Sequence, residues 1–255
     1  MMWRTSGGTG GRAVVLLHGM GATAAAWDGV VHALDARGDV RWLTVDLPGH
    51  GESDWQSSYS VGQLAVGVAE IWPDAAEVFV IGHSLGAYIA LALASGWFRV
   101  TVRGVLGIGP KISWPAADLA AARELASRPI RWYATAEEAV TRFRRVAGLG
   151  PDTAPAQESL ARGIASGQQG WRLAQDPRTF AIAGAPFASL AASAAGHVIL
   201  ARGEHDPMVS TEELRTHARD VHVIRGAGHN AHLEKPAAVI ALLERLLRDT
   251  GSPDH

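Results

Sequence analysis

The chain has 255 residues, 47% apolar and 19% charged, with a formal net charge of −2. That is enough apolar material for one sizeable folded core, and the charge supplies no global basic field for nucleic acid or an anionic membrane. No cysteine is present, which excludes disulfides, thiolate metal sites and cysteine nucleophiles.

The residues before Arg12 are short of apolar content and rich in glycine. The run Ala13–Leu17 that follows is too short for a signal-peptide core or a membrane span, so a soluble cytoplasmic protein is expected. Ala13–Leu17, Arg41–Val45, Val78–Ile81, Val102–Ile108, His197–Leu200 and Val221–Ile224 are continuous apolar runs, not alternating ones. They read as parallel strands buried on both faces. Between them Val61–Trp72, Ala87–Ser95 and Pro236–Leu247 carry helical spacing. Strands alternating with helices predict an α/β fold, a mostly parallel sheet of seven or eight strands covered on both faces.

One gap breaks this rhythm, between Ile108 and His197. Ala116–Ala126 and Glu137–Val146 within it are helix-prone, and Gly148–Pro151, Pro155 and Gly184–Pro186 divide it. A structureless loop of that length does not fit a compact domain. Residues 111–185 are therefore expected to form a helical insertion, with 1–110 and 186–255 as the core. The insertion carries ten Lys and Arg against seven Asp and Glu.

The chemistry begins at Gly82-His83-Ser84-Leu85-Gly86. Preceded by a strand and followed by a helix, this pattern fits a sharp turn that pushes the serine hydroxyl outward between two glycines. A serine hydroxyl needs a base to become a good nucleophile. His229 is the candidate, because Gly226-Ala227-Gly228-His229 follows the last strand at the end where parallel sheets bind ligands. Asp206, after the preceding strand, can orient that imidazole, and the order Ser, Asp, His suits this arrangement. Glu204 stays open as a rival acid and His205 as a rival base. His18-Gly19-Met20-Gly21 follows the first buried strand. There a backbone amide can approach the reacting centre, and the Leu85 amide would complete an oxyanion hole.

These segments resemble the α/β-hydrolase superfamily, together with Asp46-Leu47-Pro48-Gly49-His50-Gly51-Glu52-Ser53 and Gly228-His229-Asn230-Ala231-His232-Leu233-Glu234-Lys235-Pro236. The resemblance spans nearly the whole chain and is nearest to capped carboxylesterases and carbon–carbon bond hydrolases. It implies Ser84 as nucleophile, Asp206 as acid, His229 as base, the Met20 and Leu85 amides as oxyanion donors, and 111–185 as a lid. The serine at the elbow argues against the aspartate-nucleophile members, such as haloalkane dehalogenases and epoxide hydrolases. Two departures stand out. The segment before Ala13 is too short for a full pair of leading antiparallel strands, and Ala87 replaces the second glycine common in carbon–carbon hydrolases, which favours an ester.

Gly19, His83, Trp114 and Trp171 are the candidate substrate-binding residues, with Trp132 a further indole that can wall a pocket or fill a small core. His50 and His83 also have a structural reading. No metal or cofactor is expected; His229 and His232 lie three apart in a loop that needs neither. The expected partner is a small to medium, partly apolar ester, thioester, lactone or activated ketone. A second class stays open, in which the same scaffold serves as a ligand receptor or for non-hydrolytic chemistry.

Overall fold

The computed structural model describes residues 1–150 and 157–249. The segment before Ala13 forms one short strand, β1 (Arg4–Gly7), which runs antiparallel beside β3 (Val40–Val45). Then come β2 (Arg12–Leu17), helix α1 (Asp28–Arg37), β3, α2 (Val61–Ala69), β4 (Glu77–His83), α3 (Leu85–Ala94) and β5 (Gly104–Ile108). The insertion carries α4 (Ala116–Ser127), α5 (Ala136–Val146), α6 (Gln157–Arg162), the hairpin β6 (Ile164–Gly167) and β7 (Gly170–Leu173), and a 3-10 helix at Pro177–Ile182. The chain closes with α7 (Phe187–Ser193), β8 (His197–Gly203), α8 (Thr211–Arg215), β9 (Asp220–Ile224), α9 (Ala231–Glu234) and α10 (Pro236–Asp249).

Among the described residues the main sheet has seven strands in the order β1-β3-β2-β4-β5-β8-β9, and every pairing except β1 with β3 is parallel. Side chains alternate across it as the two-residue period requires. Ala13, Val15, Leu17, Val78 and Val80 pack with α2, α3 and α7 on one face, while Val14, Leu16, Phe79 and Ile81 pack with α1 and α10 on the other. Burial on both faces is why these strands read as unbroken apolar runs. The helix expected over Val61–Trp72 ends at Ala69. The strand expected from Val102 begins at Gly104, after Arg103 has donated its amide to the Val78 carbonyl at 2.8 Å.

The insertion is not purely helical. Gly170 at φ 114 reverses the chain between β6 and β7, which corrects the expectation of helices alone. Pro151 and Pro155, expected to divide it, lie outside the described residues. Among the described residues no helix is long and apolar enough to cross a membrane.

The strand order matters for function. From β2 the chain steps to β3 on one side and then returns to place β4 on the other. A crevice opens at the carboxyl ends of strands flanking such a reversal. The turn after β2 holds Gly19 and Met20, and the turn after β4 holds Ser84.

Candidate active site

Ser84 sits between the last residue of β4 and the first of α3 with φ 50 and ψ −110. A positive φ is strained for a serine, and the surroundings enforce it. Its amide donates to the Ile108 carbonyl at 2.8 Å. A Cβ on Gly82 would lie 2.2 Å from the Gly86 oxygen, and one on Gly86 would lie 2.1 Å from the Leu17 oxygen. Both flanking glycines are thus required by close backbone approach, as the turn demands.

The His229 ring meets Asp206 through Nδ1 and Oδ2 at 3.0 Å. Asp206 is buried, and its other oxygen accepts the Met208 amide at 2.8 Å. Arg202 donates to the Asp206 backbone carbonyl at 2.7 Å and so secures the turn. Glu204 is engaged elsewhere, accepting the Gly226 amide at 2.8 Å, and the His205 ring lies in solvent at 70% exposure. Glu204 makes no hydrogen bond to His229, and His205 does not line the cavity that holds Ser84. Ser84 and His229 line one cavity of about 480 Å³ without a direct hydrogen bond between them; such contacts often tighten only when substrate binds.

Met20 and Leu85 line the same cavity as Ser84. Leu85 opens α3, so its amide lies in the first turn and has no intrahelical acceptor. The Met20 amide belongs to the same peptide unit as the Gly19 carbonyl. That carbonyl accepts from His18 Nδ1 at 2.8 Å and from the Ala22 amide at 3.2 Å, while His18 Nε2 accepts the Leu47 amide at 2.9 Å. Because the peptide is planar and trans, holding the carbonyl holds the Met20 N–H pointing the opposite way. Gly19 itself abuts the site, since a Cβ there would lie 2.7 Å from His83 Nδ1 and 3.2 Å from Ser84 Cβ.

Four other histidines are buried around these turns: His18, His50, His83 and His232. Burial holds His18 down to about 4 and His50 and His232 down to about 3, and pushes His83 well below its ordinary range. Each is therefore neutral near pH 7. His83 Nε2 donates to the His229 carbonyl at 3.0 Å, and its ring lies 4.2 Å from that of His232. His83 borders the cavity and is 3% exposed.

The rest of the cavity wall comes from the insertion and from α3. Trp114 lines it, with its indole N–H on the Lys111 carbonyl at 2.9 Å. Lys111 also lines it, ion-paired with Asp118 and 4.6 Å above the Trp114 ring. Trp171 does not belong to the cavity. It lies in β7, where its backbone pairs with Tyr133 at 2.7 and 2.9 Å. Trp132 packs against Gly167 of the hairpin. Sequence reasoning missed Tyr88, Arg145, Phe180 and Asn230. Asn230 had a signal in its position beside His229; its Nδ2 donates to the Ala147 and Gly148 carbonyls at 3.2 and 2.7 Å, tying the His229 turn to the end of α5.

Among the described residues one group has metal-ligand spacing: His197, Asp220 and Asp249. His197 and Asp220 begin β8 and β9, at the opposite strand ends from Ser84. Arg245 already meets the Asp220 carboxylate at 2.9 Å, so the group reads as an ion-pair network.

An open parallel sheet with a strained serine turn at its reversal point and an Asp-held histidine beside it has the architecture of the α/β hydrolases. The model of the alpha/beta hydrolase family matches residues 14–242, and the chain belongs to that family. It is 30% identical over 259 residues to esterase Rv0045c of Mycobacterium tuberculosis, covering 92% of this chain and 82% of that one. A pimeloyl-[acyl-carrier protein] methyl ester esterase of Methylococcus capsulatus is 32% identical over 161 residues, 61% of this chain and 59% of the relative. In fold the chain is similar to the thioesterase domain from the curacin biosynthetic pathway, with a TM-score of 0.76, 22% identity, and 95% and 94% of the two chains covered.

Proposed function

We propose that this protein is a serine hydrolase that cleaves small to medium, partly apolar carboxylic esters or thioesters through an acyl-enzyme on Ser84. The observation that carries this reading is the buried Asp206 carboxylate held on His229 Nδ1 at 3.0 Å, in the cavity that also receives Ser84. Held this way, the imidazole keeps Nε2 free to take the serine proton as the hydroxyl attacks the acyl carbon. The tetrahedral oxyanion would then sit between the Met20 and Leu85 amides, each such donor typically worth about 3 kcal/mol of barrier. Protonated His229 gives its proton to the leaving group. A water activated by the same ring then releases the acid and restores Ser84. Esterases among the relatives support an ester substrate over other acyl compounds.

Residues 111–185 act as a lid in this reading, since α4, the end of α5 and the Pro177–Ile182 turn supply much of the cavity wall. The cavity volume is in the range of small-molecule sites. The test is labelling by a fluorophosphonate together with turnover of 4-nitrophenyl esters of increasing length. Both should be present in the wild type and absent from Ser84→Ala, which should fold normally because it loses one hydroxyl. Turnover above a few per cent of wild type in that variant sinks the nucleophile assignment. Tight ligand binding with no labelling would favour a receptor.

A further inference from the structure

A second pocket of about 120 Å³ adjoins the cavity within the insertion. The two share Leu125 of α4, Val146 of α5 and Phe180 of the Pro177–Ile182 turn, so an apolar ring separates and joins them. Beyond that ring the chemistry changes. Arg128, Arg131 and Arg142 line the second pocket, and none of its lining residues is acidic.

The charges around these arginines differ. Arg128 is matched by Glu124 at 2.5 Å, one turn back on α4. Arg131 lies 5.1 Å over the Tyr133 ring and has no ion-pair partner among the described residues. Arg142 has no ion-pair partner among the described residues. It stands on the same face of α5 as Arg145 and Val146, three and four residues on. Arg145 lines the main cavity, where the other cation, Lys111, is already paired with Asp118. One helix face thus turns from the Ser84 cavity into a cationic recess through an apolar gap.

The recess also offers apolar contacts, among them Ile130 and Leu173, but a neutral apolar ligand would leave its guanidinium groups without a partner, whereas such planar groups grip the oxygens of carboxylates and phosphates with paired hydrogen bonds. We propose that the second pocket is a subsite for an anionic oxygen group of the substrate. A hydrocarbon stretch would pass the Leu125, Val146 and Phe180 ring and place the reacting carbonyl at Ser84. This assignment of substrate class rests on the hydrolase reading of Ser84. The shared chemistry is the oxyanion, carried either by the far end of the acyl chain or by the leaving group.

Two matched pairs separate these sources. Mono-4-nitrophenyl adipate against 4-nitrophenyl hexanoate places the anion on the acyl chain; S-hexanoyl-4′-phosphopantetheine against S-hexanoyl pantetheine places it on the leaving group. At low ionic strength at least one anionic member should show the higher kcat/KM, and the preference should shrink with salt. In the Arg131→Gln/Arg142→Gln double variant that ratio should fall about tenfold to a hundredfold, as expected for lost charge-assisted hydrogen bonds. The Lys-for-Arg double variant should keep part of it. A calorimetric titration with octyl phosphate and 1-octanol reads the subsite without catalysis. Octyl phosphate should bind more tightly, and the double Gln variant should erase the difference. Neutral members preferred in both pairs, a preference that survives the double variant, or equal affinity for the two octyl probes overturns the subsite. No turnover of any of the four substrates, with octyl phosphate still bound preferentially, overturns the hydrolase reading and leaves the anion pocket standing.

Discussion

His18 donates through Nδ1 to the carbonyl of its neighbour Gly19 at 2.8 Å, and the ring cannot turn because Nε2 is occupied by the Leu47 amide at 2.9 Å. A buried neutral histidine therefore sets the direction of the peptide that carries the Met20 N–H. His18→Ala should lower kcat by about tenfold to a hundredfold, somewhat less than outright removal of an oxyanion donor, with a smaller change in KM. Burst kinetics with a 4-nitrophenyl ester check this. An unchanged acylation rate in a folded variant would show that the turn holds its own shape.

The same logic extends to His50, His83 and His232, which give the protein a pH-dependent stability. Their folded pKa values lie below the ordinary 6.5, so the unfolded chain takes up protons first as the pH drops. Stability should be full above about pH 6.5 and decline toward the folded values of about 4 for His18 and about 3 for His50 and His232. Each group lowers stability progressively inside that window as its unfolded form takes up a proton. Asp46 works in the opposite direction, because burial raises its carboxyl pKa and the folded state binds that proton more readily. Urea midpoints at pH 7.5, 6 and 5 should therefore fall steeply. Equal midpoints at all three would mean these rings are not held neutral.

Asn230 gives a test of the lid. Its two hydrogen bonds to the Ala147 and Gly148 carbonyls are a direct side-chain tie between the His229 turn and the insertion. Asn230→Ala should loosen the wall formed by the end of α5. Discrimination between long-chain and acetyl esters should then fall by about three- to tenfold, while turnover of the acetyl ester changes less. Equal loss for both esters would place the effect on His229 itself.

Much of this arrangement was legible because parallel strands and glycine-bound turns leave strong local marks. Val14 to Leu17 and Phe79 to Ile81 are apolar at every position since both faces of the sheet are covered. Gly82 and Gly86 flank the serine because no Cβ fits there. What escaped was structure made by distant contacts. β1 is a polar four-residue edge strand whose pairing with β3 gives no apolar pattern. The β6–β7 hairpin is half-buried and equally short. Trp171 looked like a pocket residue by type, yet its place is decided by backbone pairing with Tyr133. Phe180 entered the cavity through a short 3-10 turn whose start is capped by Asp176, which accepts the Arg178 amide at 3.0 Å and the Tyr59 hydroxyl at 2.8 Å.

The acid proposed for the triad can be tested against its neighbour two residues away. Asp206 accepts from His229 and is closed off from solvent, whereas Glu204 accepts the Gly226 amide and is half-exposed. Asp206→Asn should preserve the fold, since the amide oxygen can still take the Met208 N–H. It should nevertheless cut kcat by about a thousandfold or more at neutral pH, because an amide favours the wrong imidazole tautomer and cannot stabilise the imidazolium. Glu204→Gln keeps an acceptor for Gly226 and should stay within a few-fold of wild type, as expected for an exposed substitution that retains its hydrogen bond. The two variants measured side by side on one ester, with thermal melts to confirm folding, decide the matter. A crippled Glu204→Gln beside a nearly normal Asp206→Asn would move the acid to Glu204, and the His229 turn would then have to rearrange during catalysis to reach it.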